Sequence, residues 1–156
     1  MVVRDILNSW MEQRKAVLIS NYQNKGLKAS GKFERNINIT TTDMQSSMTA
    51  PQYTGALVFG RKPTAKGGSG GPSLYKMILE WIDDKGITPR DNMPKATMAW
   101  IIARNIHKNG IKVPNAHNDG RLLTDTFTQE SKQELFKSIT RSYITELKTD
   151  IHNLWQ

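Results

Sequence analysis

The chain contains no cysteine, and this absence excludes several kinds of chemistry together. Disulfide bonds, cysteine-based zinc sites and thiol nucleophiles all need a residue that the sequence lacks. No apolar run approaches the roughly 20 residues that a transmembrane helix needs either. We therefore expect a chain that is made in the cytoplasm, has no membrane partner and is stabilised by packing alone.

The chain does contain enough apolar residues for one folded core. Of its 156 residues, 37% are hydrophobic and 23% are charged. This length supports a single domain and is short for two, and the charged fraction is ordinary for a globular protein. We therefore expect residues 1–156 to form one domain.

Positive charge is in excess across the sequence. Lys and Arg number 22 against 14 Asp and Glu, which gives a net charge of +8 at pH 7. A basic balance favours acidic partners, and nucleic acid is the first of these. The basic residues are scattered rather than clustered, however, and a charge of this size also keeps a protein soluble. Both interpretations stay open at this stage.

The first 60 residues predict one helix followed by two strands. Apolar residues recur at three- and four-residue steps through residues 1–26, which predicts an N-terminal helix. In residues 31–60 the period changes to two, which predicts strands of a small antiparallel sheet. The residues that share a parity in each expected strand are Phe33, Ile37 and Ile39, and then Tyr53, Leu57 and Phe59.

The rest of the chain predicts helices. Residues 72–110 hold two core helices, and residues 122–156 hold one long C-terminal helix with its own apolar stripe. We expect three residues to pack at the centre of the core helices: Trp81, Trp100 and Ile106. The predicted class is α+β, in the order α-β-β-α-α-α, with the small sheet packed against helices. The terminal stripe must be buried either in the domain's own core or on a neighbouring subunit.

The basic, glycine-rich stretch at 60–73 is a candidate phosphate-binding loop. A P-loop places lysine directly after its second glycine and follows it with Ser or Thr. Here Lys66 precedes Gly67, and Pro72 interrupts the start of the next helix. The pattern therefore favours a flexible basic connection over a nucleotide site.

No other pattern in the sequence predicts catalysis or metal binding. No His or Glu lies one helical turn from His107, His117 or His152, as a zinc-binding helix would require. Asp83 and Asp84 are adjacent, so they point in different directions on a helix. We expect no catalytic residue, no metal ligand and no cofactor, and we expect that the chain is not an enzyme.

Three segments together carry a resemblance to a known family. They are YTGALVFGRKPT at 53–64, LYKMILEWIDDKGI at 74–87 and ATMAWIIARNIHKNGI at 96–111, separated by a glycine-rich gap and a short link. In this order and spacing they resemble small neck proteins of tailed bacteriophages. These proteins are variously called tail-component, tail-completion or head–tail joining proteins. The resemblance covers roughly the middle 60 residues.

The resemblance implies a structural role in the virion. It implies a homo-oligomeric ring in the head–tail connector, made in the host cytoplasm and joined to other neck, portal or tail proteins. It also implies that the loop at 60–73 reaches an adjacent subunit, where Arg61, Lys62 and Lys66 meet acidic groups. Genomic DNA passing through the channel is the other partner that the resemblance leaves open for these cations. The alternative function is a non-catalytic basic nucleic-acid-binding module.

Overall fold

The computed structural model describes residues 3–64 and 74–155, and it confirms the α+β class with a two-stranded antiparallel sheet and a long C-terminal helix. Helices make up most of the described chain. In chain order the elements are α1 (Val3–Asn24), α2 (Lys32–Arg35), β1 (Asn38–Thr41), β2 (Ser46–Thr49), α3 (Thr54–Phe59), α4 (Leu74–Asp84), α5 (Lys95–Asn109), α6 (Leu122–Thr126) and α7 (Gln129–Leu154).

The core forms where α1 meets the segment around α2 and the start of α6. Its fully buried apolar side chains are Leu18, Tyr22, Phe33, Ile37 and Leu122. Tyr22 and Phe33 stack with their ring centroids 4.0 Å apart. Leu18 and Tyr22 lie one helical turn apart on α1, so the apolar period seen in the sequence does place its residues inside. This core holds together segments from both halves of the chain.

The small sheet is shorter than predicted and lies partly elsewhere. β1 pairs with β2 in antiparallel register from Asn38 opposite Thr49 to Thr41 opposite Ser46. The first strand was predicted from residue 31, but Phe33 lies in the short helix α2 instead. The second strand falls in the polar stretch at 46–49, because a hairpin needs only backbone pairing and one covered face.

The predicted strand around Tyr53, Leu57 and Phe59 is wrong, because these residues belong to α3 and its N-terminal cap. The spacing between Tyr53 and Leu57 is four residues, which fits one helical turn as well as a shared strand parity. Only a helix brings these two residues into backbone hydrogen bonding. The amide of Leu57 donates to the carbonyl of Tyr53 at 3.1 Å.

Helices α4 and α5 pack against each other, as predicted, but through smaller residues. Ile82, Ala99 and Ala103 are buried, because the alanines allow the two backbones to approach closely. Trp100 keeps 53% of its surface exposed and Trp81 keeps 39%, so both indoles lie at the margins of the pair. The prediction that these two residues pack at the centre is therefore corrected.

Ile106, the third residue expected at the centre of the core helices, is half-buried.

The predicted C-terminal helix is interrupted, because α6 ends at Thr126 and α7 begins only after Thr128. The Thr128 side chain caps α7 by accepting a hydrogen bond from the Ser131 amide at 3.3 Å, which supports a new helix start at this point.

Candidate assembly surfaces

Two glycine-containing segments that are 50 residues apart in sequence meet at the base of the basic loop. The amide of Arg61 donates to the carbonyl of Ile111 at 2.8 Å, and the amide of Ile111 donates back to Arg61 at 2.7 Å. The two residues thus form an isolated antiparallel bridge. Each is preceded by a glycine that ends a helix, α3 at Gly60 and α5 at Gly110. The bridge therefore ties the end of α3 to the end of α5.

Both glycines are required by the backbone at this bridge. Gly60 has φ 77° and ψ −169°, and Gly110 has φ 71° and ψ −165°, a region that is essentially restricted to glycine. A Cβ on Gly60 would collide with the carbonyl oxygen of Ile111, and one on Gly110 would collide with that of Arg61. The close approach of the two chains thus depends on the absence of both side chains.

The basic residues predicted to face a partner occupy different settings. The Arg61 guanidinium donates to the Thr64 hydroxyl at 3.2 Å, so Arg61 helps to shape the loop base. Thr64 is itself fixed by His107: its amide donates to the His107 carbonyl at 3.0 Å, and its hydroxyl lies 2.7 Å from Nδ1. Lys62 is exposed. Lys66 lies outside the residues that the structure describes.

A second connection holds the loop after α5 against the body. The Asn118 side-chain amide donates to the Leu57 carbonyl at 2.7 Å, and its carbonyl oxygen accepts from the Gly120 amide at 2.9 Å. Sequence reasoning assigned this region to a loop without finding these partners. The Asn-Asp-Gly run is a recognisable turn signal, but a turn signal does not identify the distant carbonyl that it contacts.

Lys25 at the end of α1 forms an ion-pair cluster with this loop and with α6. Its ammonium lies 2.7 Å from the Asp119 carboxylate and 2.9 Å from that of Asp125. The hydrogen bonds to Asp119 and Asp125 raise the pKa of Lys25 above its usual value. The Lys25 ammonium and the Arg121 amide lower the pKa of Asp119. The cluster therefore holds the charged forms of both groups.

Within residues 3–64 and 74–155, the contacts that anchor α7 to the body lie near its start. The Trp10 indole donates to the Ser131 carbonyl at 2.9 Å, and its ring lies against Phe127 with centroids 5.9 Å apart. Ser131 is buried, while Leu135 and Ile139, one and two turns later, are half-buried. From residue 143 onward every side chain through residue 155 is exposed.

The contacts along α1 show the direction in which α7 runs. Asn21 contacts Thr126, and Trp10 contacts Ser131, so the chain moves toward the start of α1 as α7 begins. About 10 Å of α1 remains between Trp10 and Val3, whereas α7 continues for about 34 Å from Ser131 to Leu154. The contacts from α6 into the start of α7 therefore run antiparallel to α1, and α7 is longer than the part of α1 that remains beyond Trp10.

The extended helix carries an exposed apolar stripe. Its seven side chains are 48–85% exposed. At 3.6 residues per turn they fall within an arc of about 120° on one side of the helix. They are Phe136, Tyr143, Ile144, Leu147, Ile151, Leu154 and Trp155. We call this set the α7 stripe. A continuous apolar face of this kind is typical of an interaction surface.

The opposite face of α7 is polar and satisfied by the helix itself. The hydroxyls of Ser138, Thr145 and Thr149 each donate to the carbonyl four residues earlier, at 2.9 to 3.0 Å. These side chains therefore have hydrogen bonds without any partner molecule. The two faces of α7 thus differ in kind, and only the stripe exposes apolar surface that a partner would cover.

The described residues offer little to a chemical reaction. No group of three His, Asp or Glu side chains at metal-binding distance occurs among residues 3–64 and 74–155. A hollow of about 370 Å³ is lined by Arg4, Asp5, Asn8 and Thr41. The first three of these side chains are exposed, whereas ligand pockets usually desolvate most of what they bind.

Within the part of the chain that the structure describes, no helix combines the length and the apolar content needed to cross a bilayer. Comparison of the chain with protein-family models, with curated proteins and with solved structures finds no match.

Proposed function

We propose that this chain is a structural subunit of the head–tail connector of a tailed phage, where copies form a ring around the DNA channel. The observation that carries the proposal is the α7 stripe, which projects from the body with its apolar side chains uncovered. A monomeric protein rarely exposes so long an apolar face, because water contact with it is unfavourable. An assembly subunit has this property before it meets its neighbours.

The glycine bridge gives the resemblance to neck proteins physical support. Two of the short segments that carry it contain Gly60-Arg61 and Gly110-Ile111, and Arg61 and Ile111 pair with each other in the fold. Short motifs that match by chance have no reason to form one substructure. The bridge also fixes where the basic loop leaves the body, so that Lys62 is presented from a rigid base.

The proposed mechanism is assembly rather than chemistry. A ring with more than two subunits needs two different contact surfaces on each copy, which repeat around the axis. Helix α7 supplies a projecting surface that joins copies in pairs, in addition to the surfaces that close the ring. The loop base and the margins of α4 and α5, where the two exposed indoles lie, supply apolar and cationic side chains at another place. Portal-side and tail-side proteins would contact the two rims of such a ring.

The experiment that tests this proposal is peptide mass spectrometry on density-purified particles of the phage whose genome encodes the chain. We expect recovery in a fixed, low copy number relative to the capsid protein. Negative-stain electron microscopy of the purified protein, alone and with portal protein, then tests for rings. Abundance in infected cells together with absence from particles would contradict the connector function.

A nucleic-acid-binding module remains the second candidate, because the chain carries a net charge of +8 and exposes Lys62 near the loop. Binding through phosphates falls steeply as salt rises, since counterions are released. A fluorescently labelled DNA duplex titrated at 50 and 200 mM salt distinguishes the two candidates. Strong binding that weakens by orders of magnitude at higher salt favours the module, and negligible binding at both favours the connector.

A further inference from the structure

We propose that the α7 stripe is the contact between two copies of this chain, and that the two α7 helices lie parallel and in register. The inference rests on the proposed ring only for its biological setting, because the contact itself is argued from α7. A contact between the same stripe on two copies has a two-fold axis between the helices, so it joins copies in pairs, and the contacts that close a larger ring are made by other surfaces.

The partner of the stripe is not the chain's own body. Leu135 and Ile139 are the α7 side chains that turn toward the body, and both are half-buried. Phe136, beside Leu135, belongs to the stripe and is exposed, so the stripe already faces away from the body at its first residue. Further along, residues 143–155 are all exposed, so no described element covers them. A second molecule must therefore cover the stripe.

The outer half of the stripe has the pattern of a helix that pairs with its own copy. Ile144, Leu147, Ile151 and Leu154 follow steps of three, four and three residues, which are the a and d positions of a heptad repeat. Isoleucine occupies both a positions and leucine both d positions. This choice favours two parallel strands, because β-branched side chains fit the a layer of that arrangement.

The charges beside this seam also favour a parallel pair. The e positions on one border are Arg141, Lys148 and Trp155, and the g positions on the other border are Phe136, Tyr143 and Asp150. In a parallel pair in register, each g position lies beside the partner's e position five residues later, so the three cross pairs are Phe136–Arg141, Tyr143–Lys148 and Asp150–Trp155, and no like charges meet. In an antiparallel pair each border faces its own kind, which places cations beside cations. The charge pattern thus favours the parallel direction.

The size of the stripe suits a stable contact. Seven side chains that are at least 48% exposed, including Phe136, Tyr143 and Trp155, offer area on the order of the 800 Å² that one partner contributes to a standard interface. The aromatic residues flank the aliphatic seam and widen it. A second copy is also the partner that is always present at the same concentration as the stripe itself.

The absence of cysteine makes a direct test simple, because a single introduced cysteine can pair only with itself. Leu147→Cys places a thiol at a d position, where the Cα atoms of a parallel pair come within disulfide range, about 4.4–6.8 Å. Thr149→Cys, on the opposite face, is the matched control. Both positions are exposed and lie beyond the anchored part of α7, so the body folds equally well in each variant.

After mild oxidation of the purified protein, we expect a covalent dimer of Leu147→Cys on non-reducing gels and little from Thr149→Cys. Equal, low yields from the two variants would overturn the proposal. If Ile144→Cys and Leu154→Cys proteins with tags of different length are mixed and form the mixed dimer in preference to either homodimer, the proposal is also overturned, because that disulfide requires antiparallel helices. A monomeric mass by light scattering at high concentration would show that another kind of partner covers the stripe.

A second pair of variants tests the energetics without a disulfide. Leu147→Glu buries a charge in the seam, and Thr149→Glu adds the same charge to the polar face. We expect the first to weaken self-association at least tenfold and the second to leave it nearly unchanged. An equal effect of both would contradict the α7 contact.

The outcomes separate this inference from the connector function. If the protein forms cross-linked dimers but is absent from particles, the α7 contact is supported and the connector function is rejected. Recovery in particles without specific cross-linking there or in solution would preserve the connector and remove the contact.

Discussion

Gly60 and Gly110 are the residues on which the loop base depends most directly. In either position alanine must adopt a positive φ and place its Cβ against a backbone oxygen that cannot move aside. We expect Gly110→Ala to lower the free energy of unfolding by roughly 2 kcal/mol or more, since strain and overpacking add. Urea denaturation followed by circular dichroism measures this loss.

Gly55→Ala is the control for this prediction. Gly55 lies within α3 at an ordinary negative φ, and an added Cβ meets no atom within 4 Å. Alanine there is expected to leave the stability unchanged or to raise it by about 0.4–1 kcal/mol, because it restricts the unfolded chain. Similar losses of stability from Gly55→Ala and Gly110→Ala would mean that the strained bridge is not what makes Gly110→Ala destabilising.

Asp119 is the residue through which we expect stability to respond to acid. Its pKa is lower in the folded chain because the Lys25 ammonium and the Arg121 amide favour the carboxylate. The carboxylate therefore stabilises the fold fully above the unfolded pKa, about 3.9, and this contribution is lost as the pH falls through the lower folded value.

The measurement is the free energy of unfolding of the wild type and of Asp119→Asn between pH 7 and pH 2. The variant is expected to be less stable at pH 7, and the difference should shrink toward zero at the acid end. The raised pKa of Lys25 means that its own contribution is present at neutral pH and is lost only in strong alkali. A difference that stays constant with pH would contradict the proposed ion pair.

At the scale of elements, α7 divides into an anchored start and a projecting remainder. Of the described residues that truncation after Thr140 removes, all are exposed except the half-buried Ser142. We expect the free energy of unfolding of the monomer, measured in dilute protein, to change by less than about 0.5 kcal/mol. The helical signal in circular dichroism falls because the removed segment is helical.

Thr128→Ala provides the contrast to truncation, because it touches the anchored end. Its side chain caps the first turn of α7, and losing a cap costs about 1 kcal/mol. A truncation that destabilises the monomer more than Thr128→Ala does would show that the distal helix folds back onto the body.

At the scale of the whole molecule, the loop base is expected to contribute to assembly. Replacing both Arg61 and Lys62 with Ala should reduce incorporation into particles, because the cations would no longer meet acidic groups of a neighbour or DNA. Thr64→Val is the control, since it removes the hydrogen bond of Arg61 but keeps both charges. Unchanged incorporation of the double variant, measured by quantitative mass spectrometry of particles, would remove this role.

The sequence by itself determined the features that arise from local interactions. The period of α1, the positions of α4 and α5 and the glycine that ends α5 all follow from residues within a few turns. It also determined that the terminal helix carries an apolar stripe, since side-chain spacing along a helix is fixed. Where spacing was ambiguous, as between Tyr53 and Leu57, the local signal did not distinguish a helix from a strand.

Only the tertiary structure decided which apolar residues are covered. Trp81 and Trp100 look like core residues in sequence, but Ala99 and Ala103 bring the backbones too close to leave room for indoles between them. The partner of Asn118 and the bridge at Gly60 lie 50 to 61 residues away, a distance over which local patterns carry no information. The exposure of the α7 stripe has the same origin, because burial depends on which elements meet after the chain has folded.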